Sequence, residues 1–326
     1  MFEKDSKIAD KNFLITGVAG FVGYNISSEI LSLGGNVIGL DALYNANIED
    51  LQKSSKFKFY QIDLTNYSKL KKVCKNIDYI IHEADLISVN ESIYIPQKYI
   101  HNNINAMANI LEIARENKVK KVVYASSAAI YGNRKSNKES IKEDIKSIYG
   151  LTKSIEENMA KFYTKQYKVS TIGLRYFNIY GERQNIKNSE LPIIPSFIQG
   201  ILKHGKIHIY GSTSIERDFV YIKDIVHANL LACIADKKVN GRVFNIGSGH
   251  ATSLYDLAKL IQKLLNIQNV DIEIQNKRKG DIEKSVANIE NSKKYLKYIP
   301  HYNLEEGLKQ CINWYRENIW GRKKHD

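Results

Sequence analysis

The sequence predicts an α/β protein: a doubly wound parallel sheet joined to a smaller, mixed α/β part. Three observations carry this expectation. Short apolar runs of strand type alternate with helical patterns from Phe13 to Phe177. Glycines cluster between the first of those runs and the first helix. After Gly181 the alternation gives way to shorter, less regular elements. The expected boundaries are 1–180 plus about 217–248 for the sheet-bearing domain, and 181–216 plus 249–326 for the second.

The first strand-type run, Phe13-Leu14-Ile15-Thr16, leads into Gly17-Val18-Ala19-Gly20-Phe21-Val22-Gly23. A helical pattern follows through Ile26, Ile30 and Leu31. Glycines at i, i+3 and i+6 permit a tight turn, close approach of the backbone to a pyrophosphate, and close packing of helix on sheet. The helix N-terminus then faces the phosphates. The next run, Asn36 to Asp41, ends in an acid 24 residues after Gly17 (41 − 17). A carboxylate there accepts hydrogen bonds from an adenosine ribose and repels a 2′-phosphate, which favours NAD over NADP. Together the glycines and the acid point to a Rossmann-type fold.

Further strands follow at the same spacing. Phe57 to Ile62 leads to Asp63-Leu64, where a side chain and a neighbouring amide can meet an adenine edge. Asp78 to Ile81 leads to His82-Glu83-Ala84, and Pro96 opens a helix reaching Asn117 with Asn102 and Asn103 in its first turns. Strand 120–125 carries Ser127, helix 149–167 carries Tyr149 and Lys153, and strand 170–177 precedes Asn178. Right-handed crossovers put the strand C-terminal ends on one edge. Gly17, Asp41, Asp63, Ala84, Ser127 and Asn178 should therefore line one crevice.

In the second part, Pro192 and Pro195 frame a short helix. Strands are expected at 207–211, 217–221, 243–247 and 271–275, with helices at 224–235 and 253–265. Glu305 to Trp320 reads as an amphipathic helix with Trp314 and Tyr315 on its packing face.

The chemistry concentrates at Tyr149 and Lys153, which at i and i+4 share one helix face. An ammonium there is expected to lower the tyrosine pKa from about 10 toward neutrality, and Ser127 can share the same proton. The set suits removal of a proton from a sugar alcohol while another group accepts hydride.

Composition sets the bounds. The 326 residues carry a net charge of +13, spread along the chain without a basic block, apart from Arg322-Lys323-Lys324. This speaks against a nucleic-acid partner and for an overall field suited to anionic small molecules, with compositional drift as the alternative. Cys74, Cys233 and Cys311 show no metal-ligand or CxxC spacing, so they read as reduced thiols of a cytoplasmic protein without a metal. Met1 to Asn12 lacks the apolar core of a signal peptide, and no apolar run approaches the ~18 residues that would span a membrane.

In order and spacing these motifs resemble the extended short-chain dehydrogenase/reductase family, within it the NAD-dependent epimerase/dehydratases. The likeness extends over Gly17 to Gly23, Asp41, Ser126 to Gly132, Tyr149/Lys153, Leu174 to Gly181, Arg217-Asp218-Phe219, Asn245 to Gly249 and Arg278-Lys279-Gly280-Asp281. It is closest to bacterial UDP-N-acetylglucosamine 4-epimerases. The resemblance implies that Tyr149, Ser127 and Lys153 carry a reversible 4-epimerisation through a 4-keto sugar with retained NAD. It adds Phe21, Val22, Leu64, Ala84, Asn102 and Phe177 as cofactor contacts. It implies Ser88, Asn178, Arg217, Arg278, Asp281 and Ser285 as contacts to a UDP-sugar, and a homodimer formed through helices 96–117 and 149–167. Ala128 and Ala129 stand where dehydratases and decarboxylases place acidic residues, and alanine moves no proton. Ser285 stands where a bulky Tyr restricts the pocket to a 2′-hydroxyl, so it favours UDP-GlcNAc and UDP-GalNAc over UDP-glucose or UDP-glucuronate. A catalytically silent NAD-binding scaffold would have lost one of Ser127, Tyr149 or Lys153, and none is lost. Departures from the family pattern are Asp85 for Ala or Gly beside the nicotinamide, Asn90-Glu91 for Pro-Arg, Ala106-Met107 for Gly-Thr, Gly211-Ser212-Thr213 for Gly-Asp-Gly, and a short, Lys-rich loop 133–148.

Overall fold

The computed structural model describes residues 7–43, 48–134, 137–184, 191–276 and 282–320. In chain order the strands are β1 (Asn12–Thr16), β2 (Asn36–Asp41), β3 (Phe57–Gln61), β4 (Tyr79–His82), β5 (Lys121–Ser127), β6 (Thr171–Tyr176) and β7 (Asn178–Tyr180). They continue as β8 (Lys206–Tyr210), β9 (Glu216–Arg217), β10 (Phe219–Tyr221), β11 (Arg242–Ile246), β12 (Thr252–Ser253), β13 (Asp271–Gln275) and β14 (Lys284–Ser285).

Seven strands form one sheet in the order β11-β6-β5-β4-β1-β2-β3, every neighbouring pair parallel. This is the doubly wound, Rossmann-type sheet expected. Helices cover both faces, so the strands read as nearly continuous apolar runs. In β1 the alternation of side chains sends Phe13 and Ile15 into one core with Ile26 and Ile30 of helix 21–32. Leu14 enters the other, with Ile110 and Ile113 of helix 105–116. The chain winds outward from β1 to β3, then returns across β1 to β4. Ligands of such sheets bind in the crevice beyond the strand C-termini at this reversal.

The expected helix 96–117 is divided. Pro96–Tyr99 and Asn105–Glu116 are α-helical, and Ile100–Ile104 between them is a π-turn. The wider turn directs Asn103 inward, where its amide binds the backbone N–H and carbonyl of Leu86 at 3.0 and 3.1 Å and the Thr152 hydroxyl at 3.2 Å. Helix Ile148–Tyr167 starts where the Ser147 hydroxyl accepts from the Gly150 N–H at 3.0 Å.

Beyond Gly181 the expected strand 217–221 is split at Asp218. β9 pairs with β12 and β14, whereas β10 pairs with β7. β8 and β13 form a parallel pair against helix 193–204. The terminal helix is α-helical over Leu304–Tyr315 and closed at its start by a capping box between Asn303 and Glu306. Tyr315 is fully buried, and Trp314 half-buried. All three cysteines are buried free thiols. Among the described residues no helix is long and apolar enough to cross a membrane.

Candidate functional site

One cavity of about 740 Å³ runs along the strand C-termini, and Gly17, Asp41, Asp63, Ala84, Ser127 and Asn178 all line it. Its dinucleotide end is built by glycine. Gly17 takes a positive φ of 65°, and a Cβ on it would press on the Ala84 backbone at 3.0 Å. A Cβ on Gly23 would collide with the Gly17 carbonyl, so both glycines set how closely the helix approaches the sheet. Gly20 closes the turn, its N–H donating to the Gly17 carbonyl at 2.9 Å. Helix 21–32 has neither a side-chain cap nor an acid in its first turn, which leaves its N-terminus to an anion. Phe21 and Val22 are half-buried in the cavity wall.

Asp41 is 8% exposed, and its carboxylate accepts from the N–H groups of Ala19 and Leu43, each at 3.0 Å. It thereby sits over the glycine turn, as an acid reading a ribose diol must. Asp63 is exposed and accepts from the Thr65 N–H and hydroxyl, both at 2.8 Å. Leu64 is buried, with its carbonyl held by Asn109 at 2.7 Å. Asn102 completes this wall, its amide donating to Asn103 at 3.1 Å. A glycine cradle, an uncapped helix and a carboxylate at the second strand end fit the diphosphate and adenosine of NAD.

The reactive cluster lies at the ends of β4, β5 and helix 148–167. Ser127 ends β5 beside the Tyr149 phenol in the cavity wall, and its oxygen accepts from the Ala129 N–H at 3.1 Å. The Lys153 ammonium is 5.9 Å from the Tyr149 ring centre. It donates to the Ala125 carbonyl at 2.8 Å, to Glu156 at 3.0 Å and to Asp85. The side chains of Lys153, Asp85 and Glu156 are 1%, 2% and 1% exposed.

This arrangement corrects the expected net lowering at Tyr149. Burial pushes the phenol above its usual range, outweighing the pull of Lys153 and Ser127, and Asp85 and Glu156 add to the upward push. Burial also opposes the Lys153 ammonium, but Asp85 and Glu156 outweigh it and hold that pKa well above its usual range. Burial, then the Asp85 charge, hold the Glu156 carboxyl well above the carboxylate range. Lys153 is thus a paired cation.

Two further groups escaped the sequence reading. Burial pushes the Glu83 carboxyl up to about 8. It accepts from the Tyr176 hydroxyl at 2.8 Å, which in turn accepts from Asn229 at 2.8 Å. Behind Ser127, Glu157 grips Arg175 through bonds of 2.8 and 2.7 Å and accepts from the Ser126 hydroxyl at 2.5 Å. Phe177 is 4% exposed and lines the cavity beside Ser127 and Tyr176.

At the far end, Asn178 on β7, Arg217 on β9 and Ser285 on β14 reach the cavity together. Asp218 joins their strands. Its carboxylate accepts from the N–H groups of Ser248, Gly249 and Ala287 at 2.7, 2.9 and 3.1 Å and from the Ser248 hydroxyl at 2.6 Å. Its backbone receives Asn178 and donates to Ser285. Arg217 is 9% exposed and donates to the Glu216 carbonyl at 2.9 Å. Ser285 is 3% exposed. Ser88, expected to contact the sugar, is not among the lining residues, although its neighbours Ile87 and Val89 are; its hydroxyl caps helix 89–94 by accepting from the Glu91 N–H at 3.1 Å. Arg278 and Asp281 lie outside the described residues.

The sequence matches the family model for the NAD dependent epimerase/dehydratase family over residues 13–247. A UDP-glucuronate 4-epimerase of Thermodesulfobacterium geofontis is 33% identical, the match covering 94% of this chain and 97% of the relative. Among solved structures, UDP-N-acetylglucosamine 4-epimerase from Methanobrevibacter ruminantium, in complex with UDP-N-acetylmuramic acid, superposes with a TM-score of 0.90 at 31% identity, over 95% of this chain and 100% of that one. UDP-glucuronic acid 4-epimerase from Bacillus cereus, bound to UDP-glucuronic acid and NAD, has a TM-score of 0.85 at 26% identity, over 94% and 99% of the two chains. With its glycine cradle, its second-strand acid and a family match across most of its length, the chain belongs to the NAD dependent epimerase/dehydratase family.

Proposed function

We propose that the protein reversibly epimerises a UDP-hexose at C4 through a transient 4-keto sugar, with UDP-GlcNAc and UDP-GalNAc as its preferred pair. The observation that carries the reaction is the meeting of Ser127, Tyr149 and Lys153 with the glycine cradle and Asp41 in one cavity. Gly17, Gly20, Gly23 and Asp41 bind the dinucleotide, with Asp63, Leu64, Ala84, Asn102 and Phe177 along its length. NAD, when bound, supplies the hydride acceptor. Tyr149 in its phenolate form takes the proton from the C4 hydroxyl and becomes the phenol, Ser127 holds the same oxygen, and Lys153 orients the pair. Asn178 and Arg217 receive the diphosphate, Arg217 with the fork geometry suited to it. Residues 1–180 plus about 217–248 serve the dinucleotide, and 181–216 plus 249–326 the nucleotide sugar, with Arg278 and Asp281 as further contacts.

The sugar assignment rests on Ser285, a small side chain in the wall beside Arg217, which leaves room for an N-acetyl group. UDP-glucuronate is the second reading, favoured by the 33% identity to a UDP-glucuronate 4-epimerase. A homodimer is supported by apolar side chains exposed on the two helices expected to form it: Ile100, Leu151, Phe162 and Tyr167 are 41%, 37%, 53% and 48% exposed.

Incubation with UDP-GlcNAc, UDP-glucose and UDP-glucuronate separately, with products followed by NMR, tests the proposal. Conversion is expected fastest with UDP-GlcNAc, and Tyr149→Phe should lower it by about 10²-fold or more. Faster turnover of either other sugar would overturn the Ser285 argument and leave the mechanism standing.

A further inference from the structure

Asp85 has no part in the chemistry derived above, yet it is buried at the centre of it. It follows Ala84 at the end of the β4 segment, and the next residue, Leu86, is fixed through both backbone polar groups by Asn103. One carboxylate oxygen, Oδ2, meets Lys153. The other, Oδ1, is buried and among the described residues has no hydrogen-bond partner. The side chain lines the same cavity as Ser127, Tyr149 and Phe177. A buried carboxylate oxygen left unpaired costs a large fraction of its solvation, so a site built this way calls for a positive or donor group from the ligand.

Hydride transfer at the carbon whose hydroxyl touches Tyr149 and Ser127 requires the acceptor ring within van der Waals distance of that carbon. Tyr149, Lys153 and Asp85 are consecutive neighbours, so the ring falls within Asp85's field. The oxidised nicotinamide ring carries a positive charge and the reduced ring none. We propose that Asp85 is a counter-ion for the oxidised nicotinamide, shared with Lys153, and that it sets the protein's preference for NAD⁺ over NADH. As the ring draws on the carboxylate, the Lys153 field is less cancelled, and Tyr149 gains the stabilisation that Asp85 withholds without it. Asp85 therefore acts as a positioning residue that couples the readiness of the base to the oxidised cofactor.

The proposal rests on the cofactor part of the proposed function and not on which sugar is used. It is tested by binding alone. Wild type, Asp85→Asn and Asp85→Ala are equilibrated with equimolar NAD⁺ and NADH, freed of unbound nucleotide and denatured, and the released forms are quantified by ultraviolet absorbance. Wild type should hold mostly NAD⁺, and the bound NAD⁺/NADH ratio should fall by about tenfold or more in both variants, or about 1.4 kcal/mol. A damaged pocket, or a lost bond to the carboxamide common to both forms, would weaken both alike. An unchanged ratio in the variants overturns the proposal. Failure of the wild type to retain either nucleotide would overturn the cofactor assignment itself, and this inference with it.

Discussion

Replacing Glu157 by Ala should destabilise the protein severely, because it strands a charge where water has little access. Arg175 and Glu157 are 4% and 9% exposed at the side chain, and their two bonds are of charged, bidentate type. A hydrogen bond to a charged group contributes about 1.5–3 kcal/mol, and removing one partner of a buried ion pair typically costs about 3–5 kcal/mol. Ser126 loses its acceptor as well. The sum is held below simple addition by the Tyr131 ring, which lies 4.9 Å from the guanidinium and still faces it. A loss of about 3–5 kcal/mol is therefore expected, read as a lowered midpoint in urea with an unchanged slope. The double variant Glu157→Leu/Arg175→Met removes both charges and should recover most of that loss. A single-variant change below about 1 kcal/mol, or a double variant no better than the single, would refute the reasoning that the stranded guanidinium dominates.

Three other outcomes are expected. Gly23→Ala drives a Cβ into the Gly17 carbonyl and should cost about 1–3 kcal/mol, with loss of copurifying NAD, measured by thermal melting and nucleotide release. Ser285→Tyr should lower kcat/KM for UDP-GlcNAc relative to UDP-glucose by at least about tenfold, and an unchanged ratio removes Ser285 from specificity. Burial raises the Glu83 carboxyl from 4.5 to about 8. The folded chain thus keeps a proton that the unfolded chain releases, and stability is lost as pH rises across that interval. Glu83→Gln should flatten this limb of the melting profile, and parallel profiles for the two proteins would show that Glu83 does not govern it.

The sheet and the dinucleotide end were legible because their signals are local. Val18 to Val22 lie between glycines whose spacing alone specifies a turn and a close approach, and Asp41 ends an apolar run. The second part was less legible: β9, β12 and β14 are two residues each, too short for a period, and their pairing depends on Asp218. The π-turn at Ile100–Ile104 was hidden because its cause, Leu86 and Thr152 around Asn103, lies elsewhere in the chain. Glu156 is visible from Lys153 as an i+3 neighbour. Asp85 is 68 residues away, and only the fold makes it a partner of Lys153 and supplies the burial that reverses the expected direction at Tyr149. Ser88, implied by the resemblance as a sugar contact, instead caps helix 89–94 and is not among the residues lining the cavity.

The Asp218 junction has a consequence for how such a pocket diversifies. One carboxylate and its own peptide groups fasten the segments bearing Asn178, Arg217, Ser285, Gly249 and Ala287. Those segments have almost no independent freedom of movement. A new ligand shape cannot be accommodated there by sliding one strand, since the strain would spread to all of them. Change is confined to the tips of side chains on a common frame, with Ser285 the smallest of the three that reach the cavity. Altered selectivity in this architecture is therefore reached by exchanging single residues, and replacing Asp218 itself would dissolve the frame before it could retune it.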